Sequence, residues 1–236
     1  METGKFMESN GNDMKNLIIK GCREMGVCVT ESAADKLCAF SGLLLEKNKV
    51  MNLTAINDEK EVAVKHFLDS LSVMSAVDFQ DGAKVVDIGT GAGFPGLPLL
   101  ICKSDLSVLM LDSTRKKLQF VEDAMNELSI KNGRTLHARA EEAGRQDAYR
   151  AQFDFCLSRA VAAFPVLAKY CLPFVKPGGL FIAYKGPSYE DELKQADIKR
   201  LGGEIQNIKK IDLPFGDMSR YLIMTKKVRN FPGNIF

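Results

Sequence analysis

A short apolar segment that runs straight into a glycine-rich turn constrains this chain more than any other feature. The segment is Lys84–Ile88, and the turn is Gly89-Thr-Gly-Ala-Gly-Phe-Pro-Gly96. Glycines allow the backbone to turn tightly and bring its N–H groups close to a ligand, because no side chain stands in the way. Pro95 favours the start of a helix, since the first helical residue needs no N–H. The string predicts a strand, a nucleotide-binding turn and a helix in succession.

Further short strands alternate with helices along the rest of the chain. Helical spacing predicts helices over residues 95–102, 114–130, 164–174 and from 188 onward. Strands are predicted at 84–88, 107–111, 134–137, 153–157, 180–184, 203–211 and 221–225, with a break at Lys176-Pro-Gly-Gly179 before the fifth. This alternation predicts an α/β, Rossmann-like fold with a mostly parallel seven-stranded sheet covered on both faces. The short link between the last two strands suggests an antiparallel pair at one edge.

The part of the chain before this pattern is predicted to be helical. Apolar residues recur at helical spacing from Asn16 to about Val77, with Thr30 as a helix cap and one helix expected from His66 to Ala76. We therefore predict an N-terminal helical extension over residues 1–80 and a sheet-containing domain over residues 81–236. A hydrophobic content of 46% is sufficient for a sizeable core.

Composition disfavours several classes of protein. Residues 1–15 lack the layout of a secretory signal, and no apolar run approaches the ~20 residues that span a bilayer. The six cysteines include no C-x-x-C pair and there are only two histidines, so we expect reduced thiols and no metal site. The formal net charge of +2 allows an RNA partner without requiring one. We expect a cytoplasmic protein with no membrane association.

Two carboxylates narrow the choice of nucleotide. Gly91, Gly93 and Gly96 satisfy the dinucleotide pattern G-x-G-x-x-G, so the glycines alone do not select a cofactor. Asp87 lies at the strand end, where a carboxylate suits a cationic amino-acid group and would repel a pyrophosphate. Asp112 ends the next strand, where a carboxylate can accept hydrogen bonds from ribose hydroxyls. The combination favours S-adenosylmethionine over NAD(P); an oxidoreductase and a cofactor-sensing module without turnover stay open as alternatives.

Several strings, in this order along the chain, carry a family resemblance. They are Asn52-Leu-Thr-Ala-Ile56, His66-Phe-Leu-Asp-Ser-Leu71, Asp87-Ile-Gly-Thr-Gly-Ala-Gly-Phe-Pro-Gly96, Leu111-Asp-Ser113, Arg139-Ala-Glu141, Ser158-Arg-Ala160 and Lys185-Gly186. From about Asn48 to Thr225 the chain resembles the RsmG (GidB) family of 16S ribosomal RNA guanine-N7 methyltransferases. The resemblance implies a class I methyltransferase fold, S-adenosylmethionine as methyl donor, and 16S ribosomal RNA or the small ribosomal subunit as partner. A monomer is expected.

The resemblance also implies a cofactor site. Methionine and backbone contacts are expected at Gly89 and Phe94, ribose contacts near Asp112, and adenine-side contacts at Ala140 and Glu141. Arg159 is expected beside the cofactor and the incoming base. The predicted cofactor-binding residues are Asp87, Gly89, Gly91, Gly93, Phe94, Asp112, Ser113, Ala140, Glu141 and Arg159.

The implied reaction needs no dedicated general base, because guanine N7 has an in-plane lone pair and no proton to lose. Positioning can then supply up to ~7–11 kcal/mol of the acceleration. The predicted catalytic residues are Arg159, Lys185, His66 and Asp69. Arg159 is expected to orient the base or its phosphate, and Lys185 to contact a phosphate or the guanine oxygen, while His66 and Asp69 border the target pocket. A methyltransferase of another RNA or of a small molecule is the alternative within the same fold.

Overall fold

The computed structural model describes residues 2–230, with side chains from residue 13 onward. Two long helices come first, α1 (Glu2–Glu24) and α2 (Glu31–Met51). Thr30 caps α2 as predicted, because its hydroxyl oxygen accepts a hydrogen bond from the N–H of Ala33 at 3.1 Å. Asn52 ends this helix in the left-handed conformation, with a φ of 49°, which asparagine tolerates better than most residues.

A continuous helical run follows after a short loop. It consists of α3 (Glu59–Glu61), a π-helix (Val62–Leu68), α4 (Asp69–Leu71) and a 3-10 turn (Ser72–Ser75). The expected start at His66 was wrong, because Asp58 caps the run well before it. The Asp58 carboxylate accepts a hydrogen bond from the N–H of Glu61 at 2.9 Å. Among the described residues before 84 there is no strand, as predicted.

The rest of the chain forms a seven-stranded sheet. Its strands are β1 (Lys84–Ile88), β2 (Ser107–Asp112), β3 (Gly133–His137), β4 (Phe153–Arg159), β5 (Val175–Lys185), β6 (Gly203–Asp212) and β7 (Ser219–Lys227). The order is β3-β2-β1-β4-β5-β7-β6. The first five strands pair in parallel, and β7 pairs antiparallel with both β5 and β6. The predicted α/β, Rossmann-like fold and its antiparallel edge pair are confirmed.

Five short helices connect the strands. They are α5 (Gly96–Cys102), α6 (Arg115–Glu127), α7 (Ala140–Ala143), α8 (Phe164–Cys171) and α9 (Tyr189–Lys194). The sequence did not predict α7, which is only one turn long. It also made α8 too long: the helix ends at Cys171 and continues as a 3-10 turn, Leu172–Phe174. Pro173 accounts for the change, since it has no N–H to extend the α-helical hydrogen bonds.

Strand β5 begins earlier than predicted. The break expected over residues 176–179 lies inside the strand, which starts at Val175, paired with Phe153 of β4. The register shifts between Phe153 and Phe155, so the two strands pass through a bulge-like irregularity. Gly179 is required there, because a Cβ at this position would lie 2.5 Å from the carbonyl oxygen of Asp154.

Hydrophobic cores cover the two faces of the sheet. On one face, residues of α1, α2 and the π-helix pack with α5 and α6 against Val85, Met110 and Ile182. On the other face, α7 and α8 pack against Val86 and Leu109. The N-terminal helices therefore share one core with one face of the sheet. The division between residues 80 and 81 stays a prediction; residues 1 and 231–236 of the two predicted units lie outside the described residues.

Two further expectations from the sequence concern the oxidation state of the cysteines and the absence of a membrane-spanning segment. All six cysteines carry free thiols; Cys22, Cys156 and Cys171 are buried and Cys28 is exposed. Within residues 2–230, no helix combines the length and the apolar character that crossing a bilayer requires.

Candidate active site

The glycine loop, residues 89–96, leaves β1 at the carboxyl edge of the sheet and is fixed to the end of β2. The N–H groups of Gly89 and Thr90 donate to the carbonyl oxygen of Leu111 at 2.8 and 3.0 Å. The N–H of Gly91 donates to Asp112 Oδ2 at 2.9 Å. The first three N–H groups of the loop are therefore directed at acceptors of the protein itself.

The second half of the loop is closed in the same way. The N–H groups of Gly93 and Phe94 donate to the carbonyl oxygen of Thr90 at 2.9 and 2.8 Å. The N–H of Gly96, the first residue of α5, donates to Asp87 Oδ2 at 2.8 Å. A helix start normally leaves its first N–H groups unsatisfied. Here the leading one already has an acidic partner.

Asp87 braces the loop from the inside. It is fully buried, and its Oδ2 also accepts a hydrogen bond from the Thr90 hydroxyl at 2.7 Å. Its Oδ1 is buried with no hydrogen-bond partner among the described residues. Burial raises the pKa of Asp87 to about 6, against the opposing effect of the bonds from Thr90 and Gly96. The predicted contact of Asp87 with the amino-acid end of a cofactor stays a prediction.

A cavity of about 350 Å³ opens beside the loop. Six of the predicted cofactor-binding residues line it: Gly89, Gly91, Asp112, Ser113, Ala140 and Glu141. Asp87, Gly93, Phe94 and Arg159 do not belong to its lining. Its walls also include residues for which the sequence suggested no role, among them Lys117, Arg139, Val161 and Tyr170. Ligands of open α/β sheets bind at this carboxyl edge.

Asp112 presents its carboxylate to this cavity while holding two backbone groups. Oδ1 accepts a hydrogen bond from the N–H of Thr114 at 2.8 Å, and Oδ2 accepts the bond from Gly91. Each carboxylate oxygen has a second lone pair, so both can accept a ribose hydroxyl without releasing the backbone. The ring of His137 donates to the carbonyl oxygen of Ser113 at 3.1 Å, which fixes the residue after Asp112.

A second cluster forms at the far end of the same loop. The guanidinium carbon of Arg159, from the end of β4, lies 5.3 Å from the centre of the Phe94 ring. The His66 ring stacks on Phe94 with centroids 4.5 Å apart and planes 16° apart. Arg159 Nη1 donates to Asp69 Oδ2 at 2.9 Å. The structure thus brings together four residues that the sequence selected from three separate strings.

His66 is held as a neutral imidazole. Its Nδ1 lies 3.5 Å from Arg159 Nη2, which can only donate, so Nε2 carries the proton and donates to the Thr54 hydroxyl oxygen at 2.8 Å. Burial and the Arg159 charge lower the pKa of His66 to about 4, with Asp69 opposing the shift. Thr54 lies in the Asn52-Leu-Thr-Ala-Ile56 string, which therefore acts on the cluster through His66.

Arg220 of β7 also belongs to the cluster, and the sequence did not identify it. It binds the Asp69 carboxylate with two nitrogens, each at 2.7 Å. The two residues are 151 positions apart, so no local spacing connects them. The only available signal was the predicted antiparallel edge strand, which returns its first residues to the carboxyl edge of the sheet.

Lys185 has other partners. Its ammonium forms an ion pair with Glu192 at 2.6 Å and donates to the carbonyl oxygen of Ala162 at 3.1 Å. Glu192 also accepts the N–H of Phe164 at 2.6 Å. These contacts connect the loop after β4 to α9. The contact of Lys185 with a phosphate or with guanine stays a prediction, and such a contact would compete with Glu192.

A larger cavity, of about 840 Å³, opens at the opposite edge of the sheet. Its lining includes Asp154, Lys176, Gly178 and Asn207, near the starts of β4 and β5. Of these two cavities, only the smaller is lined by the glycine loop and by the strand-end carboxylate Asp112, which makes it the candidate nucleotide site. Over the described part of the chain, no group of three or more potential ligand side chains could hold a metal ion.

Comparison with known proteins identifies relatives over most of the chain. The model of the GidB family, described as rRNA small subunit methyltransferase G, matches residues 33–214. Ribosomal RNA small subunit methyltransferase G of Alkaliphilus oremlandii is 42% identical over 222 residues, 93% of each chain. The protein of the same name from Thermoanaerobacter pseudethanolicus is 43% identical over 223 residues, 94% of this chain and 93% of the relative.

Solved structures share the fold at much lower sequence identity. The precorrin-6y C5,15-methyltransferase of Geobacter metallireducens superimposes with a TM-score of 0.51 at 14% identity. The match covers 67% of this chain and 87% of that one. At this identity the similarity supports the fold alone.

Proposed function

Because the chain belongs to the rRNA small subunit methyltransferase G family, we propose that it transfers a methyl group from S-adenosylmethionine to N7 of a guanine in small-subunit ribosomal RNA. The observation that carries the proposal is the double use of the glycine loop. Gly89 and Gly91 line the nucleotide cavity, while Phe94 supports Arg159 and His66. A methyl donor and an incoming base would therefore meet along one short, rigid segment.

The cavity fits the nucleoside part of the donor. Its volume of about 350 Å³ lies within the usual range for ligand sites, roughly 300–1,000 Å³. Asp112 would accept the ribose hydroxyls, and Ala140 and Glu141 would lie on the adenine side. When bound, S-adenosylmethionine supplies an electrophilic methyl group on a sulfonium.

The hydrogen bonds of the glycine loop argue against the dinucleotide alternative. A pyrophosphate binds at such a loop through unsatisfied backbone N–H groups. Here the N–H groups of Gly89, Thr90, Gly91, Gly93, Phe94 and Gly96 all donate to protein acceptors. An NAD(P) pyrophosphate would have to break several of these bonds and approach Asp112. The loop is thus better suited to a cofactor without phosphates.

The residues of the second cluster suit a reaction without a general base. His66 is neutral, with one ring nitrogen facing Arg159 and the other bonded to Thr54. Asp69 is paired with two arginines, and both of its carboxylate oxygens already accept hydrogen bonds from them. Guanine N7 needs only alignment with the methyl group, and Arg159 on the Phe94 ring can provide it through stacking and hydrogen bonds. We further propose a monomer that acts in the cytoplasm, where its ribosomal substrate is made.

Calorimetry separates the cofactor classes, and methyl transfer then tests the substrate. We expect S-adenosylhomocysteine to bind the purified protein and NADH to give no heat. Binding of NADH without S-adenosylhomocysteine would contradict the cofactor assignment. With radiolabelled donor, we expect label in small ribosomal subunits and none in large subunits. Equal labelling of both, or labelling of neither, would contradict the proposed substrate.

A further inference from the structure

Asp69 lies between two arginines that come from different strands. Arg220 Nε and Nη2 bind Asp69 Oδ1 and Oδ2, both at 2.7 Å, in the paired geometry that fixes a carboxylate plane. Arg159 Nη1 binds Oδ2 at 2.9 Å. The Asp69 side chain is 2% exposed, that of Arg159 9% and that of Arg220 16%. The three side chains therefore form a nearly dry, connected group.

The orientation of Arg159 depends on this group. Besides Asp69, Arg159 contacts the carbonyl oxygens of Lys65 and His66 through Nη1, at 3.3 and 3.4 Å, and His66 Nδ1 through Nη2, at 3.5 Å. These contacts are long, and the bond to Asp69 is the short, charged one. Asp69 in turn is held in plane by Arg220. Removing Arg220 would allow the carboxylate to rotate and Arg159 to shift on the Phe94 ring.

We propose that Arg220 is a positioning residue for methyl transfer: it fixes Asp69, and Asp69 holds Arg159 where the target base must stack. The inference rests on the proposed function for the identity of that base. Topology explains the arrangement. Because β7 runs antiparallel to β5, Tyr221 pairs with Lys185, and Arg220 lies at the carboxyl edge beside the site.

The same contacts would also fit a purely structural role, in which Arg220 only fastens the helical run to the sheet. Two other hydrogen bonds already fasten the run in this way. The hydroxyl of Tyr184 donates to the carbonyl oxygen of Ser70 at 2.8 Å, which ties the helical run to β5. Lys209 of β6 also donates to the carbonyl oxygen of Ser75. Arg220 is distinguished from these bonds by its contact with the same carboxylate oxygen that Arg159 uses.

The test is a double-substitution cycle on the full chain with small ribosomal subunits as substrate. The variants are Arg220→Met, Arg220→Lys, Arg159→Ala and the double variant, with Lys226→Met as control. Lys226 is exposed on the same strand and pairs with Leu180, away from the site. The turnover number kcat, KM for the subunits, affinity for S-adenosylhomocysteine and melting temperature are measured for each.

We expect Arg220→Met to lower kcat by about 10- to 100-fold, the usual cost of misplacing a reacting pair. Affinity for S-adenosylhomocysteine should change by less than about 2-fold, since Arg220 does not line the nucleotide cavity. Arg220→Lys should have a nearly equally low kcat, because an ammonium keeps the positive charge but lacks the two nitrogens that bind both carboxylate oxygens at once. In the Arg159→Ala background, Arg220→Met should have almost no further effect on kcat. Lys226→Met should behave as wild type.

A kcat close to wild type in Arg220→Met, with only a lower melting temperature, would mean that Arg220 stabilises the fold and does not position Arg159. Equal losses of kcat in both backgrounds would mean that Arg220 acts independently of Arg159. A second readout does not depend on the substrate: the side-chain Nε–H order parameter of Arg159, measured by NMR. It should fall in Arg220→Met, and an unchanged value would overturn the inference. If the wild-type protein labels no ribosomal RNA, the proposed function fails while this measurement still decides the role of Arg220.

Discussion

Val161 covers Gly89 so closely that a Cβ at position 89 would lie 2.3 Å from Val161 Cγ2. Gly89 also has a φ of +72°, which other residues avoid. The neighbouring Ser158 hydroxyl donates to the carbonyl oxygen of Ile88 at 2.8 Å, so the chain after β4 is bonded to the end of β1. Ala160, which lies between Ser158 and Val161 in the chain, has a φ of 57°. The Ser158-Arg-Ala160 string and the glycine loop are thus two parts of one close contact.

Gly89→Ala tests this contact. We expect a loss of stability from the positive φ, of about 1 kcal/mol, together with a steric cost and a clear fall in affinity for S-adenosylhomocysteine. Gly82→Ala is the matched control, because Gly82 has a φ of +74° with nothing within 4 Å of the added Cβ. Urea unfolding and calorimetry are the measurements. Equal losses of stability for the two variants, with unchanged ligand affinity, would contradict the role of the contact.

Local patterns in the sequence predicted much of the fold and the strand–turn–helix unit that contains the glycine loop. The glycine loop, the cap at Thr30 and the alternation of strands and helices depend on neighbouring residues, so their signals are contained in short windows. The position of Asp112 at the end of a strand was predicted in the same way, because the run of apolar residues before it marks where the strand ends. Six of the ten cofactor-binding residues predicted from these patterns and from the family resemblance line one cavity.

The remaining features depend on which side chains meet in the folded chain. Arg220 reaches Asp69 across 151 positions, and only the sheet order brings them together. Lys185 has a basic side chain at the right edge, but no pattern in the sequence reveals that Glu192 neutralises it. The sequence also did not reveal that Asp87 Oδ2 accepts hydrogen bonds from Thr90 and Gly96, while its contact with a ligand stays a prediction. The types of these residues and their positions at strand ends could be predicted from the sequence, whereas the partners of their side chains could not.

Asp69→Asn should destabilise the protein strongly. Removing one partner of a buried ion pair typically costs about 3–5 kcal/mol, and here it leaves two arginines facing each other. We expect a loss of about 3 kcal/mol or more in the free energy of unfolding, measured in urea. Asp191→Asn is the control, since its ion pair with Lys194 is exposed and its loss should have little effect. A loss no larger than that of the control would contradict the network.

His66 should make the protein less stable at low pH. Its pKa is lowered to about 4 in the fold from an unfolded value of 6.5, so the unfolded chain binds the extra proton first. This contribution is complete above pH 6.5 and is lost as the pH falls towards 4. It amounts to at most about 3 kcal/mol, at 1.36 kcal/mol per pKa unit.

The measurement is the difference in unfolding free energy between wild type and His66→Gln as a function of pH. The difference should shrink in favour of the variant between pH 6.5 and 4. Asp87, whose pKa is raised to about 6, contributes with the opposite sign and cancels because both proteins contain it. His137→Gln, at an exposed position, controls for the loss of a histidine. A constant difference across this range would contradict a neutral, buried His66.

Lys227 is a buried cation whose removal should stabilise the protein. It is 3% exposed, donates to the carbonyl oxygen of Leu172 at 2.9 Å, and burial lowers its pKa to about 8. Below pH 8 Lys227 is charged in both the folded and the unfolded state, and burying that charge lowers the stability of the fold. From pH 8 to 10.5 the folded state loses its proton first, so wild-type stability rises with pH.

Lys227→Met should therefore be more stable than wild type at pH 7, by about 2 kcal/mol after allowing for the lost hydrogen bond. This advantage should fall by about 3 kcal/mol on going to pH 10.5. Urea unfolding at both pH values measures it, with Lys226→Met as the exposed control on the same strand. Methylation should be unchanged, since Lys227 pairs with Gly203 at the opposite end of β7 from Arg220. A variant less stable at pH 7 would contradict the buried charge.

The most direct test of the proposed function maps N7-methylguanine in small-subunit ribosomal RNA by chemical cleavage. Four strains are compared: wild type, a strain without the gene, and the latter carrying either the intact gene or Arg159→Ala. We expect one cleavage signal in wild type that disappears with the gene, returns with the intact copy and stays absent with Arg159→Ala. An identical cleavage pattern with and without the gene would contradict the account.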